Sequence, residues 1–184
     1  MTRARCTRCL RPQSHCICAL AAPVDNALEL LILQHPLEER QAKGTARLLH
    51  LCLARSRLLV GEVFEPDELA PLLDGAVLLY PEDPARPGPP LPAAPSRLIV
   101  LDGTWRKSRK MLALNPLLQT LPRLSWEQPP ASRYAVRKAQ RTHQLSTLEA
   151  AALALEQLQG REQAPLWRAF QGLVDSLGPA IKQG

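Results

Sequence analysis

Four cysteines, Cys6, Cys9, Cys16 and Cys18, stand within the first 18 residues, and a fifth, Cys52, stands apart. Tetrahedral zinc takes four soft ligands, and a Cys-x2-Cys half-site turns both sulfurs inward. The second half, Cys16-Ile17-Cys18, is tighter than the common spacing. Two disulfides and an iron–sulfur cluster are the rival chemistries. A reducing compartment disfavours the first, and the spacing departs from the common ferredoxin runs. A closed four-sulfur shell keeps no open position for substrate, so the zinc expected here is structural, with a formal charge of about −2. Arg3, Arg5, Arg8 and Arg11 surround the cluster, placed to neutralise it and to touch nucleic acid. His15 could replace one sulfur, and Cys52 reads as a small buried hydrophobe.

A second group of reactive residues is Asp102-Gly103-Thr104-Trp105, directly after the apolar run Arg97–Leu101. In α/β folds ligands sit beyond the carboxyl ends of parallel strands. Asp supplies a base or a hydrogen-bond acceptor, Gly permits a tight turn, Thr can cap a following helix, and Trp offers a flat surface to a base. The structural alternative is an N-cap turn with a core tryptophan. Arg106, Lys107, Arg109 and Lys110 follow, with Arg133, Arg137, Lys138 and Arg141 later. Such charge runs serve either as a solvated face or as phosphate contacts.

Positioning these groups requires a core. The 184 residues are 46% hydrophobic and 22% charged, enough for one ordinary domain and incompatible with disorder over most of the chain. No apolar run reaches the roughly 18 residues of a transmembrane helix, and no apolar stretch backs the N-terminal charges as in a secretory signal, so a cytoplasmic protein is expected. The net charge of +6 and pI of 9.4 favour an anionic partner, and a zinc-thiolate centre would remove about two of those charges.

Buried strands are expected at Leu28–Gln34, closed by His35-Pro36, at Ala76–Tyr80 and at Arg97–Leu101. A shorter one is expected around Gly61, from Leu58–Val60 and Val63-Phe64, with weak candidates at Leu121–Trp126 and Tyr134–Val136. Helical spacing runs through Leu48, Leu49, Cys52 and Leu53, and short helices follow from Pro66 and from Trp105 to Leu114. Ser146-Thr147-Leu148-Glu149 is a capping box opening a helix to about Leu158, with Gly160 beyond. A last amphipathic helix runs from Pro165 to Ile181, with a break near Gly178-Pro179. Residues 81–96 hold seven prolines and form a surface loop. The alternation gives α/β with a mostly parallel sheet flanked by helices, with a zinc-binding segment over 1–22 and the main domain, the catalytic one on the family resemblance given next, over 23–184.

Leu101-Asp102-Gly103-Thr104-Trp105-x3-Arg109-Lys110-Met111 resembles the signature of the DTW-domain family. Other parts agree in order: the cysteine cluster, Gln34-His35-Pro36-x-Glu38, Thr45 with Leu48, Tyr80-Pro81, Leu121-Pro122, Ser132-x-Tyr134-x2-Arg137-Lys138 and Leu145-Ser146-Thr147-x-Glu149-Ala150. The resemblance covers about residues 6–152. It implies a SPOUT-type α/β fold, a class with knotted members. It also implies a tRNA-uridine aminocarboxypropyltransferase: S-adenosylmethionine (SAM) gives its 3-amino-3-carboxypropyl group to N3 of a tRNA uridine, position 47 for the bacterial single-domain members.

On that resemblance Asp102 is the expected base, with capping of the next helix as its rival role, and Thr104 and Trp105 stand beside it as catalytic. Trp105 would stack on a base or pack under the loop. Tyr80, Gly103, Ser132, Tyr134, Leu145, Ser146 and Thr147 are expected at the SAM pocket, with Arg137 facing the donor's carboxylate; for Ser146, capping is the stronger reading. His35, Glu38, Arg106, Arg109, Lys110 and Lys138 are expected on the substrate side, although His35 before Pro36 could simply shape the turn. tRNA is the partner implied, and no obligate protein partner is evident. A SAM-dependent RNA methyltransferase and a non-catalytic zinc-containing RNA-binding module are the alternatives.

Overall fold

The computed structural model describes residues 4–128, 132 and 145–181. Five strands, β1 (Glu29–Gln34), β2 (Ser56–Val60), β3 (Ala76–Leu79), β4 (Arg97–Asp102) and β5 (Arg123–Leu124), form one sheet in the order β2-β1-β4-β3-β5. Every pairing is parallel. A parallel sheet is covered on both faces, so its inner strands read as unbroken apolar runs. Leu30 to Leu33 accordingly have no exposed surface.

Alternation along the strands sends side chains to two cores. Leu30, Ile32, Leu98 and Val100 pack under α1 (Ala46–Cys52), α4 (Thr147–Gln159) and α5 (Ala164–Ile181), against Leu49, Leu148, Leu155 and Phe170. Leu31, Leu33, Leu78 and Ile99 pack under α2 (Pro66–Leu69), α3 (Trp105–Leu114) and the 3-10 turn Pro116–Thr120, against Leu69, Met111 and Leu118. The cysteine segment rests on the first core, where Cys9 and Ile17 are buried. Leu20 approaches α5 closely enough that a Cβ on Gly172 would lie 3.1 Å from its Cδ2.

Several elements differ from their sequence-based expectation. β2 stops at Val60, and Val63 and Phe64 are not strand. The chain turns back after Gly61 because Asn115, far along the sequence, takes the Phe64 N–H on its Oδ1 at 2.9 Å and donates its amide to the Glu62 carbonyl. β5 is only two residues long. α5 continues past Gly178-Pro179 to Ile181 without the expected break. The strand expected at Tyr134–Val136 lies outside the described residues. The proline-rich stretch contains no regular element, and it is tied at its ends by Arg123 Nη1 donating to the Pro81 carbonyl and Ser96 Oγ donating to the Asp74 carbonyl.

The chain leaves β1 toward β2 at one edge and leaves β4 toward β5 at the other. The order therefore reverses between β1 and β4, and the crevice beyond their carboxyl ends is where such sheets bind ligands. No described helix is long and apolar enough to cross a membrane.

Candidate active site

Gln34 and Asp102 end the two central strands as register partners. His35 N–H extends the ladder by donating to the Asp102 carbonyl at 2.9 Å. The Asp102 side chain is buried, with 5% of the residue exposed. Its Oδ2 accepts from Gln34 Nε2 at 2.8 Å and its Oδ1 from Thr147 Oγ1 at 2.5 Å. Asp102 does not cap α3, because that position belongs to Thr104, whose Oγ1 accepts from Lys107 N–H at 3.4 Å. The carboxylate instead joins two strands to the first residue of α4. Gly103 is needed for closeness rather than for an unusual backbone: a Cβ there would sit 3.1 Å from the Lys107 Cβ.

A cavity of about 200 Å³ opens beyond the ends of β3, β4 and β5. Tyr80, Trp105 and Trp126 give it aromatic walls, and Leu145, Ser146 and Thr147 close it at the start of α4. Trp105 is half exposed and meets Tyr80 edge-to-face, with centroids 5.8 Å apart at 72°. Expected pocket residues Tyr80, Gly103, Leu145, Ser146 and Thr147 are thus brought together. Thr104 is exposed and acts as a helix cap. Ser132 donates to Glu149 at 2.9 Å rather than lining the cavity. Tyr134, Arg137 and Lys138 lie outside the described residues.

The capping box is complete, and it holds the cavity's rim in place. Glu149 N–H donates to Ser146 Oγ at 3.3 Å, and Ser146 N–H donates to Glu149 Oε2 at 2.8 Å. Leu148 N–H donates to Thr45 Oγ1 at 3.1 Å, so the residue before α1 also caps α4. Trp126 and Thr45 were not singled out as site residues by the sequence reading. Trp126 lies in a weak strand pattern, and the cap on α4 is supplied from 103 positions away.

On the other side of Asp102 lies a charged cluster. His35 is buried; its Nδ1 accepts from Leu37 N–H, which leaves the proton on Nε2, donated to Glu62 Oε1 at 2.9 Å. Glu62 Oε2 takes Lys110 Nζ at 2.8 Å, and Glu38 takes Lys107 Nζ at 2.7 Å. Hydrogen bonds from Lys110, then from His35, hold the Glu62 carboxyl below its ordinary range. Glu62 was not foreseen, because it stands in a turn without a motif. His35 thus shapes its turn, and Lys110 is ion-paired. Arg106 and Arg109 are exposed and have no ion-pair partner among the described residues.

At the cysteine cluster all four Sγ atoms lie within 4.8 Å of one another, and no disulfide links them. Cys6 and Cys18 sulfurs are 3.6 Å apart and those of Cys9 and Cys16 3.7 Å. Zn–S bonds of about 2.3 Å in a tetrahedron give edges of about 3.8 Å, so the four thiols fit the metal. Backbone N–H groups of Cys9 and Arg8 lower the Cys6 thiol to about 6. Burial, then hydrogen bonds with the neighbouring thiols, raises Cys18 to about 12. Arg5 holds the Leu10 carbonyl, where φ is +60°, and Arg11 reaches the Gly44 carbonyl at 2.9 Å. His15 bonds Ser14 and is not one of the four clustered ligands.

The DTW domain matches residues 3–177. A protein of Macaca fascicularis named tRNA-uridine aminocarboxypropyltransferase 2 is 32% identical over 93% of this chain, and its Mus musculus namesake is 33% identical over the same share. The Drosophila melanogaster namesake is 34% identical over 86% of the chain. The match spans 62% of the length of the macaque and mouse proteins and 68% of the fly protein. No solved structure matches the chain. With the DTW match covering nearly every residue, including both the cysteine cluster and the Asp102 turn, the chain belongs to the DTW-domain family.

Proposed function

We propose that this protein transfers the 3-amino-3-carboxypropyl group of SAM to N3 of a tRNA uridine, at position 47 of the variable loop, and releases methylthioadenosine. The observation that carries the reading is a buried carboxylate, Asp102, at the reversal point of the sheet, flanked by Leu101, Gly103 and Thr147, which all line the aromatic-walled cavity. The family membership and the names of the relatives support the same reaction.

When bound, SAM supplies a sulfonium whose attached carbons are all electrophilic; which one reacts depends on which faces the nucleophile in line. The cavity is the proposed donor site, with Tyr80, Trp105 and Trp126 offering flat surfaces to adenine or uracil. Uridine N3–H is a poor nucleophile until its proton leaves. Asp102 takes that proton as N3 bonds to the γ-carbon of the donor chain, and the electron pair of the breaking C–S bond goes to sulfur. The four cysteines hold structural zinc and carry no step. A SPOUT-type relationship of the fold is proposed on the same grounds, and a cytoplasmic setting on the clustered, unpaired thiols.

The test is incubation of the purified protein with tRNA and SAM, followed by mass spectrometry of the nucleosides. Aminocarboxypropyluridine with methylthioadenosine is the expected result. S-adenosylhomocysteine would assign a methyltransferase instead, and tRNA binding without any product would leave only a binding module.

A further inference from the structure

We infer that Gln34 is a positioning residue that holds the Asp102 carboxylate in its working orientation; as a role in catalysis this rests on the transferase reading above. Gln34 is the last residue of β1, after four aliphatic residues with no exposed surface, and it is itself only 2% exposed. A fifth aliphatic side chain would suit this core position. Among the described residues, a carboxamide there instead makes one side-chain hydrogen bond, from Nε2 to Asp102 Oδ2 at 2.8 Å, and its buried Oε1 has no hydrogen-bond partner. Burying a carbonyl without a partner is costly, and such groups in native structures call for a specific explanation. Packing does not supply one, because an apolar residue would carry no such cost.

The orientation of the amide is fixed by its neighbour. Rotating it by half a turn would set Oε1 against the carboxylate oxygen and lose the bond to Asp102. Thr147 Oγ1 grips the other oxygen at 2.5 Å from α4, so the carboxylate is held between a strand and a helix. Thr147 lines the cavity and Gln34 does not, so Gln34 acts through Asp102 rather than on a bound molecule. A base that removes a proton in the reacting complex must be fixed to within a fraction of an ångström, and misplacement by about 1 Å can cost on the order of 100-fold in rate.

The experiment is a double-mutant cycle on the full chain with Gln34→Met, Asp102→Ala and the pair. Methionine keeps the length and burial of glutamine but cannot donate. Gln34→Met is expected to lower kcat by about 10- to 100-fold while the affinities for SAM and tRNA stay within about twofold, and to add no further loss once Asp102 is alanine. The same four proteins are unfolded in urea, a measurement that needs no substrate, and the two substitutions are expected to be non-additive there as well. Wild-type turnover in Gln34→Met, equal fold-losses in both backgrounds, or additive unfolding would each overturn the inference. A wild-type protein that forms no product while the unfolding coupling stands would overturn the transferase reading and leave the Gln34–Asp102 pairing in place.

Discussion

Asp102 has its immediate surroundings from three directions: its register partner Gln34, the first residue of α4, and the tight turn at Gly103. Because Thr104 caps α3, removing the Asp102 carboxylate leaves that helix its cap. Asp102→Ala is therefore expected to bind tRNA within about twofold of wild type while product falls by at least about 100-fold. Filter binding and nucleoside mass spectrometry on the same preparation check this. Normal modification by the variant would remove Asp102 from the mechanism. The aspartate, threonine and tryptophan were legible as reactive or flat side chains after a buried strand. Glu62 and Trp126 were not, and Gln34 stood in a family motif without a role, since each acquires its role only from a partner distant in sequence.

At the scale of elements, the start of α4 links cavity, cap and carboxylate. Ser146→Ala removes one half of the capping box and should cost about 1 kcal/mol of stability, measured by urea unfolding. Because Thr147 shares that turn, SAM binding by calorimetry should weaken too. At the opposite end of the central strands, Glu29 lies between Arg97 and Arg57, and the hydrogen bond from Arg97 does most to keep its carboxyl below 4.5. A carboxyl lowered on folding stabilises the native state above its unfolded value and loses that contribution as the pH falls through the folded one. Glu29→Gln should thus be less stable than wild type near neutrality, and the gap should close as the pH drops well below 4.5. A gap independent of pH in equilibrium unfolding would contradict this. Helix periodicity and the capping box made α4 readable in advance; the second cap from Thr45 was hidden by its separation of 103 positions.

For the whole molecule, the charge of +6 is not spread over equivalent groups. Of the four cations on α3, Lys107 and Lys110 are committed to Glu38 and Glu62, whereas Arg106 and Arg109 face solvent. Each of Arg106→Ala and Arg109→Ala should reduce the slope of log K against log salt for tRNA by about 1. Lys107→Ala should change it far less. A larger slope change for the lysine would reassign the phosphate face. The cysteine segment contributes Cys9 and Ile17 to the same core as α1, α4 and α5, so metal binding and folding should be linked. Cys16→Ser is expected to lose zinc by metal analysis and to melt several degrees lower; full zinc content in the variant would dispose of the four-cysteine site.

By itself the sequence determined what depends on neighbours along the chain. The apolar runs became β1, β3 and β4, Ser146 and Glu149 became a complete capping box, and the Cys-x2-Cys and Cys-x-Cys spacings brought four sulfurs together. The tertiary structure decided what depends on contacts between distant segments. It ended β2 at Val60 through Asn115, committed Lys110 to Glu62, and gave Asp102 to Gln34 and Thr147 instead of to α3. Local patterns specify hydrophobic periodicity and caps because their partners lie within a turn or a strand. Only packing selects which of several polar side chains meets a buried carboxylate.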